Sequence, residues 1–215
     1  MTNPVLVKIC GLTEDEGLDA ALDAGADFLG LVFFPPSPRF ITPSDAGELF
    51  QYLPEEAKVV GLFVDPSFAE IEQVLSSVRL DMIQLHGSES VERIEEIRFE
   101  FGHPVMKALS IATAADLDAA REFAEVADWL LFDAKPPKDA DRPGGNAVSF
   151  DWTLLQGRSW ACPWMLAGGL TPETVAEAIR ISGATAVDVS SGVESAPGIK
   201  NAEKIARFIQ AAKGE

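Results

Sequence analysis

Residues 164–194 read WMLAGGLTPETVAEAIRISGATAVDVSSGVE. A short apolar run ends on two glycines. A Thr-Pro step then opens an amphipathic stretch, and a second apolar run ends on Ser-Ser-Gly. Short β-rich runs bounded by Gly, Ser and Thr read as buried strands. Thr-Pro, here at Thr171-Pro172 and earlier at Thr42-Pro43, reads as a helix cap followed by the first helical residue. The segment is therefore strand, glycine loop, helix, strand, glycine loop. An open doubly wound sheet carries its glycine-rich turn after the first strand, whereas here the glycine-rich turns come last.

The same alternation runs back to the N-terminus. The runs VLVKI, FLGLVFF, KVVGLFV, MIQL, VMKAL and WLLF precede WMLA and AVDV, and amphipathic stretches lie between them. Leu18, Ala21 and Leu22 share a helical face, as do Phe68, Ile71 and Leu75, and Ile205, Phe208, Ile209 and Ala212. A short helix is predicted near FDWTLL. Strict alternation implies parallel strands joined by right-handed crossovers. Eight such units are the number at which the sheet closes into a (β/α)8 barrel, with the open doubly wound sheet as the alternative. No linker divides residues 1–215, so one barrel domain is expected. The longest connection, AKPPKDADRPGGNAVS, belongs on the catalytic rim of such a barrel.

Thirty-four acids against 17 bases give a net charge of −17. That balance disfavours nucleic acid and anionic membranes as partners, and any anion site must be built locally. No apolar run reaches the roughly 20 residues that span a bilayer, and MTNPVLVKIC does not resemble a signal peptide. A soluble cytoplasmic protein is expected. Two cysteines, Cys10 and Cys162, are a poor disulfide signal and a poor zinc site, and His86 and His103 form no ligand pair.

In a (β/α)8 barrel, active sites gather where the strands end. Those ends supply Lys8 and Cys10, Arg39, Asp65, Gln84 and His86, Lys107 and Ser110, Asp133 and Lys135, Gly168-Gly169, and Asp188 with Ser190, Ser191 and Gly192. Side chains alternate along a strand, so Leu6, Lys8 and Cys10 face the barrel interior while Val5, Val7 and Ile9 face the helices. Gln84 shares a face with His86, and Asp188 with Ser190. The first and eighth strands are neighbours in a closed barrel, so Lys8 is expected to pair with Asp188. Lys107 and Asp188 otherwise read as charge balance inside the barrel. Glycines let a backbone approach an anion, and helix N-termini bind it. With glycine loops after both the seventh and eighth strands, Gly168, Gly169, Ser190, Ser191 and Gly192 read as a phosphate cradle rather than as turns alone.

The fragments KICGLT, FFPPSPR, IQLHG, FDAK followed by PGGN and FDW, LAGGLTPE, and DVSSGVE with PGIKN together resemble the phosphoribosylanthranilate isomerase family over nearly the whole chain. The resemblance implies an Amadori rearrangement of N-(5-phosphoribosyl)anthranilate in tryptophan synthesis, with no metal and no organic cofactor. It implies Asp133 as general acid and Cys10 as general base. Arg39 then pairs with the anthranilate carboxylate, and the glycine loops hold the phosphate. Lys8, Gln84, His86 and Asp188 complete the substrate-binding set. The acid must hold its proton near neutral pH, which a secluded site favours. A free thiol titrates near ~8.5, so Cys10 needs help from Lys8 to act as thiolate. The partner is a small phosphosugar, and the chain is a monomer or a homodimer.

Each of these residues also has an ordinary reading. A cysteine ending a strand is commonly a small buried hydrophobe, an aspartate there is commonly a helix cap, and His86 a hydrogen-bonded lining residue. No helix starts directly after Asp133. Cys162 precedes the seventh strand, roughly 17 Å from the rim on a strand of about five residues, and reads as structural. Two positions depart from the family pattern: Ala147 where glycine is usual, and Asn201 where aspartate is usual. Asparagine caps a helix about as well. The related isomerase of histidine synthesis and a non-catalytic phosphometabolite-binding barrel are the competing readings. Cys10 counts against the first, and Cys10 with Asp133 against the second.

Overall fold

The structure is a computed structural model that describes residues 4–54, 56–135 and 149–214. Eight parallel strands close into a barrel in sequence order: β1 Leu6–Cys10, β2 Phe28–Val32, β3 Lys58–Phe63, β4 Met82–Leu85, β5 Val105–Ile111, β6 Trp129–Ala134, β7 Trp164–Leu166 and β8 Ala186–Val189. The register across the closing seam pairs Lys8 with Asp188. The crossovers carry α1 Asp15–Asp23, α2 Pro43–Leu49, α3 Phe68–Leu75, α4 Val91–Phe101, α5 Ala114–Ala124, α6 Val175–Ser182 and α7 Ala202–Lys213. A single 3-10 turn, Trp152–Leu155, stands where the short helix was predicted. After β8 the chain makes a small hairpin of β9 Glu194–Ala196 and β10 Ile199–Lys200 before α7. Ala147 and most of its connection lie outside the described residues.

Alternation along the strands produces two cores. Val60, Met82, Met106, Ala108, Leu131, Met165, Ala167 and Ala186 fill the barrel, with Leu6, Phe28 and Trp129 at its lower end. Val7, Ile9, Leu29, Ile83, Leu130, Phe132 and Val187 join the helices in the outer core. On α7 the predicted face of Ile205, Phe208, Ile209 and Ala212 is buried as a unit, and Asn201 caps the helix by accepting from the Lys204 N–H.

Three local expectations are corrected. Phe68 opens α3 at its periphery and stays about a third exposed beneath the Arg93 guanidinium, while Ile71 and Val74 make the buried face. Pro172 does not begin a helix. Residues 172–174 form a turn in which Thr171 O accepts from the N–H groups of Thr174 and Val175, and α6 starts at Val175. The φ that suits proline to a first helical turn suits it equally to this position in a β-turn. Lys107 does not lie inside the barrel. Met106 and Ala108 point inward, so Lys107 points to the helix layer, where it meets Glu89.

Candidate active site

The C-terminal ends of the strands form one mouth. β1 ends on Cys10 and β6 nearly ends on Asp133, and both side chains share the inward parity of their strands. Cys10 is 4% exposed and Asp133 8% exposed. A cleft in this mouth is lined by Asp133, Gly168, Gly169, Asp188, Ser190, Ser191 and Gly192. The acid and the glycine loops therefore border the same space.

The loops need their glycines. Gly168 has φ +85°, and a Cβ there would sit 2.6 Å from the Ala134 nitrogen. A Cβ on Gly192 would sit 1.9 Å from Leu170 O, so the two loops touch through the missing side chain. The N–H groups of Gly168 and Gly169 donate to no protein acceptor among the described residues. Unsatisfied donors at the rim of a cleft are what an anion would fill.

The inner wall is a chain of buried polar groups. Lys8, fully buried, donates to Asp188 Oδ1 at 2.8 Å, as the parity of the two strands predicts. Burial pulls the Lys8 ammonium down, but the Asp188 carboxylate and the Cys10 thiol outweigh it and hold Lys8 above its ordinary range. Burial pushes the Cys10 thiol up. Lys8 opposes that shift and Asp188 reinforces it, so the thiol sits above its usual value. Lys8 thus favours the thiolate, as the sequence suggests, yet does not overcome desolvation. Ser190 Oγ donates to Cys10 O at 2.9 Å, tying the glycine loop after β8 to the end of β1.

On the opposite wall Asp133 Oδ1 accepts from the Ala134 N–H at 2.8 Å. His86 Nε2 lies 3.3 Å from Asp133 Oδ2 without an aligned hydrogen bond. Gln84, fully buried, places its amide nitrogen 3.1 Å from His86 Nδ1. The Gln84 amide thus holds the His86 ring beside Asp133. Gln84 and His86 therefore join the site through the acid.

Arg39 stands apart from this cleft. Its Nε and Nη2 donate to Glu194 at 2.6 and 2.9 Å, and Lys200 donates to the same carboxylate at 2.9 Å. Glu194 and Lys200 lie within the motif DVSSGVE with PGIKN but were assigned no role from sequence. The signal available was a Pro-Gly turn flanked by an acid and a base. Gly30 was also missed: a Cβ there would sit 3.0 Å from the Cys10 sulfur. Both cysteines are free, and Cys162 lies just before β7, away from the mouth.

A family model for N-(5'phosphoribosyl)anthranilate (PRA) isomerase matches residues 7–211. The chain belongs to the phosphoribosylanthranilate isomerase family. The N-(5'-phosphoribosyl)anthranilate isomerase of Paramagnetospirillum magneticum is 64% identical over 211 residues, covering 98% of each chain. The crystal structure of phosphoribosyl anthranilate isomerase from Thermotoga maritima superimposes with a TM-score of 0.88 at 39% identity, covering 98% of this chain and all of that one. A second solved phosphoribosyl anthranilate isomerase, in complex with reduced 1-(o-carboxyphenylamino)-1-deoxyribulose 5-phosphate, gives 0.84 at 36% identity with the same coverage. The family's reaction is an aldose–ketose isomerisation in tryptophan biosynthesis. Membership in it removes the two competing readings. Among the described residues, no helix is long and apolar enough to cross a membrane, and no three His, Cys, Asp or Glu side chains gather as a metal site.

Proposed function

We propose that the chain rearranges N-(5-phosphoribosyl)anthranilate by acid–base catalysis, with Asp133 as acid and Cys10 as base. Asp133 gives a proton to the furanose ring oxygen. The C1–O bond breaks, and the anthranilate nitrogen lone pair forms the C=N bond of an iminium. The Cys10 thiolate removes the C2 proton, and the freed electron pair moves through C1 to nitrogen, giving an enolamine. C1 then takes up a proton and the C2 hydroxyl loses one, leaving the ketone. Protonation and deprotonation balance, and no oxidant, metal or cofactor enters.

The placement of Cys10 and Asp133 at one barrel mouth, beside a cleft with unsatisfied backbone donors, carries this reading. The glycine loops hold the phosphate at one end, and Arg39 holds the anthranilate carboxylate at the other with a guanidinium fork. Lys8 and Asp188 orient the base, and Gln84 and His86 orient the acid. The thiolate is the minor form at neutral pH, and each unit by which the thiol is raised costs about 1.4 kcal/mol of its population. Cys10→Ala and Asp133→Asn should each lower kcat by about 10³-fold or more while the reduced product analogue still binds. Full activity in either variant removes that residue from the mechanism. Incubation with a chelator should leave the rate unchanged.

A further inference from the structure

Two buried cations share one carboxylate at the rim. Arg39, Glu194 and Lys200 are 5%, 8% and 5% exposed. Glu194 takes the Nε and one Nη2 hydrogen of Arg39. Nη1 makes no hydrogen bond among the described residues. A guanidinium has five N–H donors in a planar fork, so one edge is spent on Glu194 and the end-on Nη1–Nη2 edge is left to offer. Lys200 holds Glu194 from the other side, and it also donates to Ser190 O at 3.2 Å and Oγ at 3.3 Å. The hairpin clamps the arginine mechanically as well. A Cβ on Gly198 would collide with Pro38 O, and in the loop after β1 one on Gly11 would sit 2.7 Å from Arg39 Cδ.

The charge count points to what completes the cluster. Arg39 and Lys200 against Glu194 leave one uncompensated positive charge in a nearly dry site. Burial pulls the Lys200 ammonium down, and Glu194 only partly restores it. One further carboxylate on the free Arg39 edge balances the group.

We infer that Glu194 and Lys200 are positioning residues that lock Arg39 edge-on, so that its remaining fork meets the substrate's ring carboxylate in register with the phosphate loop. The inference rests on the reading of Arg39 as the carboxylate anchor. Lys200 bonds both Glu194 and Ser190, so the two ends of the substrate are spaced by one continuous network. These residues touch no reacting atom.

The test uses the full chain, the reduced product analogue, and a counterpart of that analogue lacking the ring carboxyl. Glu194→Gln should raise KM, and Kd for the carboxylated analogue, by about tenfold, with kcat within about twofold. Kd for the carboxyl-free analogue should not move. In an Arg39→Met background, Glu194→Gln should add nothing, because it acts only through Arg39. Lys200→Met should give the same pattern at smaller size, and it decides the matter if Glu194→Gln does not fold. Equal losses for both analogues, or effects that multiply in the Arg39→Met background, overturn the inference while leaving the anchor in place. If Arg39→Met itself leaves the carboxylated analogue's Kd unchanged, the anchor reading falls and takes this inference with it.

Discussion

Lys8 and Lys107 sit on barrel strands, are 0% and 2% exposed, and each pairs with a buried carboxylate, at 2.8 and 2.6 Å. One residue of parity separates their fates. Lys8 faces the lumen and pairs with Asp188 beside the Cys10 thiol. Lys107 faces the helix layer, and its partner is tied to the backbone. Nζ also reaches Gly87 O at 2.7 Å, while Glu89 accepts from the N–H groups of Asp65 and Gly87. The Lys107–Glu89 pair is a strap that holds the turn carrying His86. The Lys8–Asp188 pair acts instead on the thiol beside it. Burial of a lysine therefore does not separate scaffold from site, whereas the face it points to does.

The sharpest way to break this contrast is to delete each cation. Lys107→Met leaves Glu89 buried and unpaired, so it should cost about 3–5 kcal/mol in urea or thermal unfolding. The folded variant should keep kcat/KM within about twofold. Lys8→Met leaves Asp188 buried and unpaired and so also costs stability, but its folded form should lose activity. It withdraws the cation nearest the thiol, and a rise of two units in the thiol's pKa corresponds to about a 100-fold loss in kcat/KM. If folded Lys107→Met is inactive, or folded Lys8→Met keeps full activity, the partition by face is wrong.

Much of this contrast was legible in the sequence, and its limits are physical. The eight strands show because short apolar runs alternate with helical ones, and the pattern repeats. The inward set Leu6, Lys8 and Cys10 follows from period two, and the Lys8–Asp188 pair follows from closure of the barrel. Lys107 reads as a lumen charge balancing Asp188, but it lies one residue out of step with the inward Met106 and Ala108. Its partner Glu89 lies in a loop 18 residues upstream, where no period reports direction. The Arg39–Glu194 pair spans 155 residues of sequence and depends on a hairpin meeting the loop after β2. Such pairings are decided by tertiary geometry, and local patterns carry no trace of them.

The thiol gives a smaller effect that sharpens the lumen side. Burial holds Cys10 above its usual value, so the thiolate fraction grows about tenfold per pH unit until that raised value is reached. The rate of Cys10 alkylation by iodoacetamide should keep climbing with pH past the range where an ordinary thiol has finished titrating. A plateau reached by pH 8 would mean that Lys8 wins over desolvation, and the lumen pair would then be stronger than its geometry indicates.

The outer layer supplies the smallest test. Ser67 caps α3: its Oγ accepts from the Glu70 N–H at 3.3 Å, and Glu70 Oε2 accepts from the Ser67 N–H and Oγ–H at 2.7 Å each. Ser67→Ala removes the hydroxyl from both exchanges and should cost about 1 kcal/mol. The bonds from Ser67 hold the Glu70 carboxyl below its ordinary value of 4.5. Its folded-state pKa is therefore the lower one. The stabilisation is complete above the ordinary value and is lost as pH falls through the folded one. The gap in stability between wild type and Ser67→Ala should thus be full at pH 7 and narrow below about pH 4.5, read from urea midpoints at each pH. Neither Ser67 nor Glu70 lines the cleft, so kcat and KM at pH 7 should equal those of wild type. A change in either would show that the helix layer transmits to the lumen, and the two faces would then not be separable.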